Sequence, residues 1–383
     1  MDRMEIPFFV HDLGRPELDA VAEVLEGLVL TTGETVARFE QRLAAYLGCR
    51  DVVAVTSCTG ALHLSLVALG IGPGDEVITT PLTFIATATA IIEAGARPVF
   101  VDVEPQTGNL AVEQVEAALT PRTRAIIPVH LYGHMCDMRA LAELARRRGL
   151  HLIEDAAHCV EGMRDGVRPA QLSAAACFSF YATKSLTCGE GGAVATNDEA
   201  LAARLRLLRL HGMTKTAADR AREGYTHWDM TVLGWKYNMD NIQAALLLPQ
   251  MDRLEGKLEK RQRVADRYEH LLAGIPGLSW PATLPQTRHA RHLFTVWVAE
   301  GGRDAVLRGL QERRIGVVVN YRPIHILTYF RQTLGYTRGS FPMAERIGDT
   351  TVSLPFYPGL PANHVEAVAE AVRELSSEAD SPA

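Results

Sequence analysis

Apolar and polar positions alternate with two different periods over the first part of the chain. Short, β-branched apolar runs predict strands at residues 52–56, 76–79, 98–103, 124–129 and 150–154. Longer segments with helical spacing predict helices at residues 61–69, 84–94, 110–119 and 137–148. Strands that alternate with helices in this way predict βαβ units. We therefore expect an α/β fold with a mostly parallel sheet between helices.

The pattern changes in the second part of the chain. Residues 240–271 are largely helical, and the turn Gly274-Ile275-Pro276-Gly277 precedes a new unit. That unit has predicted strands at 294–298 and 315–319 and predicted helices at 304–312 and 363–375. We expect a large domain over residues 1–250 and a small C-terminal α+β domain over residues 251–383, with residues 1–15 packing on the small domain. The cleft between two such domains is a common place for a site.

Composition narrows the class of protein. The chain has 383 residues, of which 47% are hydrophobic and 22% charged, and a net charge of −6. This balance is typical of a globular protein and argues against a general nucleic-acid or anionic-membrane binder. No apolar run approaches the length that spans a bilayer, and the N-terminus has no secretory core. The six cysteines lack metal-site spacing. We expect a cytoplasmic protein with no metal, nucleic-acid or membrane partner.

One carboxylate and one lysine carry the most specific chemical signal. Asp155 ends the apolar run Leu152-Ile153-Glu154, and Lys184 lies in a later turn rich in small residues. Pyridoxal phosphate (PLP) chemistry needs such a pair, because the lysine forms a Schiff base with the cofactor and the aspartate keeps the pyridine nitrogen protonated. Taken alone, the two residues are equally compatible with a surface lysine and a helix-capping aspartate.

A phosphate site is the second requirement of PLP. Residues 51–62 run from a strand through a small-residue turn into a helix, whose N–H groups, with the Ser57 or Thr59 hydroxyl, could bind an anion. Such a turn is also a common structural N-cap. Ser179 offers a second hydroxyl, and its alternative role is that of a buried structural serine. Phe84 could stack on a cofactor ring, although core packing is the commoner role of an aromatic residue there.

Other short blocks follow in a fixed order along nearly the whole chain. They are residues 30–33 with 39–40, 72–78, 95–102, 130–133, 234–245, 321–325 and 353–358. Together with the segments around Asp155 and Lys184, they resemble the DegT/StrS-type family of PLP-dependent nucleotide-sugar aminotransferases, a branch of the fold-type-I aminotransferases. The resemblance implies the fold of that superfamily, with the PLP-binding large domain and the small C-terminal domain described above.

The resemblance also implies roles for individual residues. Lys184 would form the Schiff base, and Asp155 would contact the pyridine nitrogen. The remaining cofactor contacts would be His158 at the phenolic oxygen, Cys58, Thr59 and Ser179 at the phosphate, and Phe84 on the ring. Lys236 would reach the phosphate of the other subunit's cofactor, which implies a homodimer with shared active sites. Substrate contacts would come from Tyr321, Arg322 and His325.

Two departures from the family pattern affect the substrate side of the expected site. Asn320 stands where relatives often have histidine, and Leu246–Leu248 replaces a glycine-containing stretch. The two phosphates of a nucleotide sugar call for cations, and the candidates are Arg322, Lys236 and the pair Arg206 and Arg209.

The implied activity is a transamination in amino-sugar biosynthesis. An amino acid, which the resemblance indicates is glutamate, would give its amino group to a keto group of a nucleotide-activated sugar, and a 4-keto sugar fits best. Amination of a 3-keto nucleotide sugar or of a cyclitol ketone is the alternative. A PLP-dependent sugar dehydratase is disfavoured because Lys184 is present where dehydratases of this scaffold have histidine. A non-catalytic PLP-binding regulator is disfavoured because the sequence shows no DNA-binding segment.

Overall fold

The strands are the framework of the fold in the computed structural model, which describes residues 5–216, 219 and 227–379. They are β1 (Asp51–Val55), β2 (Glu76–Thr79), β3 (Arg97–Phe100), β4 (Thr123–Ile126), β5 (His151–Asp155), β6 (Met163–Arg164), β7 (Ala175–Ser179), β8 (Gly192–Thr196), β9 (Thr287–Arg288), β10 (Phe294–Trp297) and β11 (Thr351–Leu354).

Helices precede, separate and follow these strands. They are α1 (Arg15–Glu26), α2 (Glu34–Leu47), α3 (Cys58–Ala68), α4 (Ala86–Glu93), α5 (Val112–Val115), α6 (Met138–Arg148), α7 (Glu199–Leu208), α8 (Asn241–Met251), α9 (Leu254–Leu272), α10 (Arg303–Glu312), α11 (Thr328–Leu334), α12 (Pro342–Thr350) and α13 (Ala362–Ala379). Among the residues that the structure describes, no helix combines the length and the apolar character that crossing a membrane requires.

A seven-stranded sheet lies between the helices in the order β1-β8-β7-β5-β4-β2-β3. All its neighbouring pairs are parallel except those of β8, which runs antiparallel to β1 and β7. Buried residues fill β7 and β8 along their whole length, as expected of strands that are covered on both faces. The predicted α/β fold with a mostly parallel sheet is confirmed.

The strand register brings the ends of three strands to one edge of the sheet. β1, β7 and β5 run in the same direction, and Gly192 of β8 pairs with both Val55 and Ser179. Asp155 pairs with Cys177, two residues before Ser179. The start of α3 and the ends of β5 and β7 therefore meet at the carboxyl edge of the sheet, where α/β folds bind their ligands.

Some predicted elements differ from the observed ones. The predicted helix at 110–119 is reduced to α5 and a 3₁₀ turn at Glu116–Ala118. The predicted strand at 315–319 is wrong, because that segment forms only single bridges, from Ile315 to Ile6 and from Val318 to Ser353. Gly316 lies so close to the backbone of Phe8 that a side chain would not fit. β8 was missed because its small residues give no hydrophobic period.

A separate hydrophobic cluster occupies the C-terminal part of the chain. It joins α9, α10 and α13 to the two-stranded sheet of β10 and β11, and its centre includes Tyr268, Phe294 and Val368. Ile6 also belongs to this cluster. We retain the division at residues 250 and 251 as a proposal; the ends of the two ranges, residues 1–4 and 380–383, lie outside the described residues.

A buried ion pair fixes α2 against β1. Arg209 donates to Oε1 of Glu40 at 2.5 Å and to the carbonyl oxygen of Ala54 at 2.7 Å. The same Glu40 oxygen accepts the backbone N–H of Ala54 at 2.8 Å. Arg206, on the same helical stretch, donates to Asp51 at 2.7 Å. Arg206 and Arg209, two of the candidate phosphate contacts, are thus bound to carboxylates within the fold.

Removing one partner of the Glu40–Arg209 pair should destabilise the protein strongly. Glu40→Ala leaves a buried guanidinium without its carboxylate, which costs about 3–5 kcal/mol. Glu143→Ala is the matched control, because it breaks an exposed pair with Arg146 that is worth about 1 kcal/mol or less. Urea unfolding of the two variants measures the difference. Equal losses of stability would contradict the role given to the buried pair.

Candidate functional site

Lys184 lies in a tight turn after β7, at the carboxyl edge of the sheet. Its backbone N–H donates to the carbonyl oxygen of Tyr181 at 2.9 Å, and the next residue, Ser185, donates to Oε2 of the buried Glu161 at 3.1 Å. The half-buried amine has Nε2 of His292 3.2 Å away. Burial lowers the pKa of the Lys184 amine from 10.5 to about 8. The turn therefore presents a fixed amine that loses its proton easily.

Asp155 ends β5 and is 6% exposed. Oδ2 accepts the hydroxyl of Thr87 at 2.7 Å, and Oδ1 accepts the backbone N–H of Ala157 at 3.2 Å. Burial raises the pKa of this carboxyl above its ordinary value, against the lowering effects of Thr87, Ala157 and Lys184. A buried carboxylate with neutral hydrogen-bond donors is well suited to bind a cationic N–H.

His158 lies one turn beyond Asp155 and is fixed on both sides of its ring. Nδ1 accepts the backbone N–H of Tyr132 at 3.2 Å, so the ring proton resides on Nε2. Nε2 is 3.1 Å from the hydroxyl oxygen of Tyr321 and donates to it. Burial and the neighbouring Lys184 lower the pKa of His158 well below its ordinary value. His158 is therefore a neutral donor in the site.

The start of α3 is the turn for which the sequence predicts an anion site. The Ser57 hydroxyl accepts the backbone N–H of Gly60 at 3.0 Å, so Ser57 caps the helix. The N–H groups of Cys58 and Thr59 precede the first helical hydrogen bond and remain available to a ligand. A Cβ on Gly192 would lie 2.6 Å from the nitrogen of Cys58. The glycine thus lets this turn pack on β8, beside Ser179.

Two aromatic residues stand next to these groups. Phe84 is 55% exposed, and its ring centroid is 6.1 Å from that of Tyr321. Tyr321 stacks on His158 with a centroid distance of 6.0 Å. An exposed aromatic face near a buried carboxylate and a lysine amine is a suitable surface for a planar ring.

The structure does not bring every predicted residue into this cluster. His325 is fully buried and has Nε2 3.0 Å from Oε1 of Glu345, in the packing around Phe341. Arg322 is exposed. Lys236 is exposed and donates to Oδ1 of Asn238 at 2.5 Å, in a segment that bridges Asn238 to Val55 at the end of β1.

Three residues of the site were missed by sequence reasoning. Thr87 holds Asp155, His292 contacts Lys184, and Glu161 holds the turn that carries Lys184. Thr87 follows Phe84 by one helical turn, which is a signal that could have been used. His292 and Glu161 gave none, because they contact the lysine turn only through the folding of distant segments.

The described residues fit PLP. Asp155 would hold the pyridine nitrogen, because its buried carboxylate accepts hydrogen bonds from two neutral donors, the Thr87 hydroxyl and the Ala157 N–H. The start of α3 and Ser179 would hold the phosphate, Phe84 would face the ring, and Lys184 would hold the aldehyde carbon.

Comparisons with known proteins also point to PLP-dependent sugar aminotransferases. The model of the DegT/DnrJ/EryC1/StrS aminotransferase family matches residues 11–373. The spore coat polysaccharide biosynthesis protein SpsC of Bacillus subtilis is 42% identical in an alignment of 381 residues that covers 98% of this chain and 98% of that one. Spr1654 of Streptococcus pneumoniae, in its PLP form, is 28% identical with a TM-score of 0.92, over 99% of this chain and all of that one. DesI, in the presence of its TDP-sugar product, is 30% identical with a TM-score of 0.87, over 98% of this chain and 94% of that one.

The lowered pKa of Lys184 should be visible in its reactivity. In cofactor-free protein, acetic anhydride should label Lys184 with a pH midpoint near 8, whereas exposed lysines of the same sample should approach the ordinary value of 10.5. The midpoint is lower because burial disfavours the charged amine. Peptide mass spectrometry after brief labelling at each pH measures both.

Reduction of the PLP-loaded protein with borohydride checks the same residue independently. The reduced cofactor should be attached to the peptide that contains Lys184. Attachment to another lysine would refute the assignment of Lys184, and a labelling midpoint near 10 would refute the effect of burial.

Proposed function

This chain belongs to the DegT/DnrJ/EryC1/StrS aminotransferase family, and we propose that, as a PLP-dependent sugar aminotransferase, it transfers the amino group of glutamate to a nucleotide-linked 4-keto sugar. The observation that carries the proposal is the meeting of Asp155, His158 and Lys184 at the carboxyl edge of the sheet. PLP, when bound, supplies an electron sink for the cleavage of the donor's Cα–H bond.

The protein's own groups would divide the work as follows. Asp155 keeps the pyridine nitrogen protonated, and Thr87 holds the carboxylate toward it. His158 directs its Nε2 proton to Tyr321, which leaves the tyrosine O–H free to donate to a bound oxygen. Lys184, with a pKa of about 8, moves a proton near neutral pH.

The nucleotide-sugar class of acceptor is supported by the relatives. DesI was solved with its TDP-sugar product, and SpsC acts in polysaccharide biosynthesis. The nucleotide and diphosphate lie far from the reacting ketone, and their binding energy can orient the ketone in the site. Since Arg206 and Arg209 are bound to Asp51 and Glu40, Arg322 and Lys236 remain as the proposed phosphate contacts.

We propose a homodimer in which Lys236 completes the neighbour's site. The segment before Lys236 exposes large apolar side chains: Trp228 is 45%, Met230 51% and Leu233 75% exposed. Phe84 and Ile85, near the cofactor site, are also exposed. Apolar surface of this extent typically marks a protein interface.

The two half-reactions should separate the proposed activity from its alternatives. Glutamate should convert the bound cofactor from its aldehyde to its amine form, seen as a change in visible absorbance, and 2-oxoglutarate should reverse it. A nucleotide-linked 4-keto sugar should then restore the aldehyde form, while the free keto sugar should do so poorly because it lacks the remote binding groups.

The alternatives predict different second half-reactions. Restoration by a 3-keto nucleotide sugar, or by a free cyclitol ketone when no nucleotide sugar of a panel responds, would replace the 4-keto assignment. Failure of glutamate where another amino acid succeeds would replace the donor.

Subunit mixing should test the shared site. Lys184→Ala and Lys236→Ala homodimers should each be nearly inactive, but their mixture should recover part of the activity, because one of the two sites in a heterodimer has both lysines. Mixing Lys184→Ala with Lys260→Ala, which changes an exposed lysine on α9, is the control for dilution of active subunits. If exchange is demonstrated by mass and activity is not recovered, Lys236 acts within its own chain.

A further inference from the structure

The amine of Lys184 has a histidine as its hydrogen-bond partner. Nε2 of His292 lies 3.2 Å from Nζ of Lys184, although the two residues are 108 positions apart. His292 is 8% exposed. The titratable groups that face it are Lys184, His158, Arg261 and His289. None of these groups is an acid, so the charged neighbours of the imidazole disfavour its protonation.

The backbone of Tyr132 holds His292 and His158 in place together. Its N–H donates to Nδ1 of His158 at 3.2 Å, and its carbonyl oxygen accepts the N–H of His292 at 3.0 Å. A second backbone hydrogen bond joins the same two segments, since the Ala290 N–H donates to the carbonyl oxygen of Gly133 at 2.8 Å. The two imidazole rings then pack with centroids 4.3 Å apart. The position of His292 is therefore set by the same turn that sets His158.

The charge state of His292 defines what it can do. Burial and the adjacent cationic groups lower its pKa well below the ordinary value, so the ring is neutral near pH 7. A neutral imidazole with its proton on Nδ1 offers the Nε2 lone pair to an amine N–H. Accepting this hydrogen bond favours the protonated amine and opposes the effect of burial on Lys184.

We propose that His292 is a positioning residue that accepts an N–H from the Lys184 amine and holds it beside the reacting carbon after the amino donor has displaced it from the cofactor. The proposal rests on the proposed function for the displacement step. The proton that the Lys184 nitrogen takes from the donor's α-carbon stays on that nitrogen until it is delivered. His292 gains and loses no proton, and its role is to orient the amine and keep it basic.

The first test uses cofactor-free protein and needs no substrate. His292→Leu removes the acceptor, whereas in His292→Gln the amide oxygen can take the place of Nε2. The acylation midpoint of Lys184 should fall by about one pH unit in the leucine variant and stay near that of the wild type in the glutamine variant. His289→Asn is the matched control, because it changes a buried histidine of the same segment. The asparagine oxygen can still accept the Arg291 N–H that His289 Nδ1 accepts in the wild type.

The second test measures the glutamate half-reaction in a single turnover. His292→Leu should slow it by about 10–100-fold, with little change in the glutamate concentration at half-maximal rate and with a larger isotope effect for α-deuterated glutamate. His292→Gln should recover most of the rate. Circular dichroism and PLP content confirm that each variant is folded and loaded.

The two tests can fail separately. Equal labelling midpoints in the wild type and the leucine variant, or equal slowing by leucine and glutamine, would overturn the role of His292. If the wild type does not react with glutamate, the proposed donor fails, while the labelling result still decides whether His292 holds the amine.

Discussion

Burial of the Asp155 carboxylate at the end of β5 is the constraint around which the site is organised. The carboxylate is kept in place by Thr87 from α4 and by the N–H of Ala157, both of which are neutral. Its raised pKa reflects an anion that has left water without gaining a full counter-charge. We propose that the protonated pyridine nitrogen of bound PLP would supply that charge, so that cofactor binding would offset the cost of burying the carboxylate.

The second ionisable side chain of the site is that of Lys184, and the hydrogen-bond partner of its amine is a histidine. Lys184 faces the neutral His292, and burial lowers its pKa to about 8. Were a carboxylate bonded to it directly, the pKa of the amine would rise further above neutral and the amine would release its proton less readily. In the proposed function the carboxylate would serve the ring nitrogen, whereas the imidazole contacts the lysine amine. A pocket needs this division if it is to keep the bound ring cationic and leave the lysine amine able to move protons.

The local sequence pattern indicated those site residues that a single segment of the chain defines. Asp155 ends one strand and Lys184 follows another, and the order of strands carries both positions to one edge of the sheet. His292 was not predictable in this way, because its relation to Lys184 is made by a loop attached to Tyr132 and not by a motif. Arg209 shows the opposite error: its charge indicated a phosphate contact, but only the fold shows that Glu40 already binds it. Strand order and apolar runs are local properties, whereas the partner of a buried charge is a property of the whole structure.

The lysine turn is also connected to the C-terminal part of the chain. The buried Glu161 accepts the hydroxyl of Ser185 and a guanidinium N–H of Arg261, which lies on α9. Arg261 also donates to the carbonyl oxygen of Ala290, two residues before His292. Breaking one partner of such a buried network leaves the other groups without compensation. If α9 moves relative to the sheet, it therefore either breaks this network or moves the turn that carries Lys184. Both parts of the chain thus set the position of the amine.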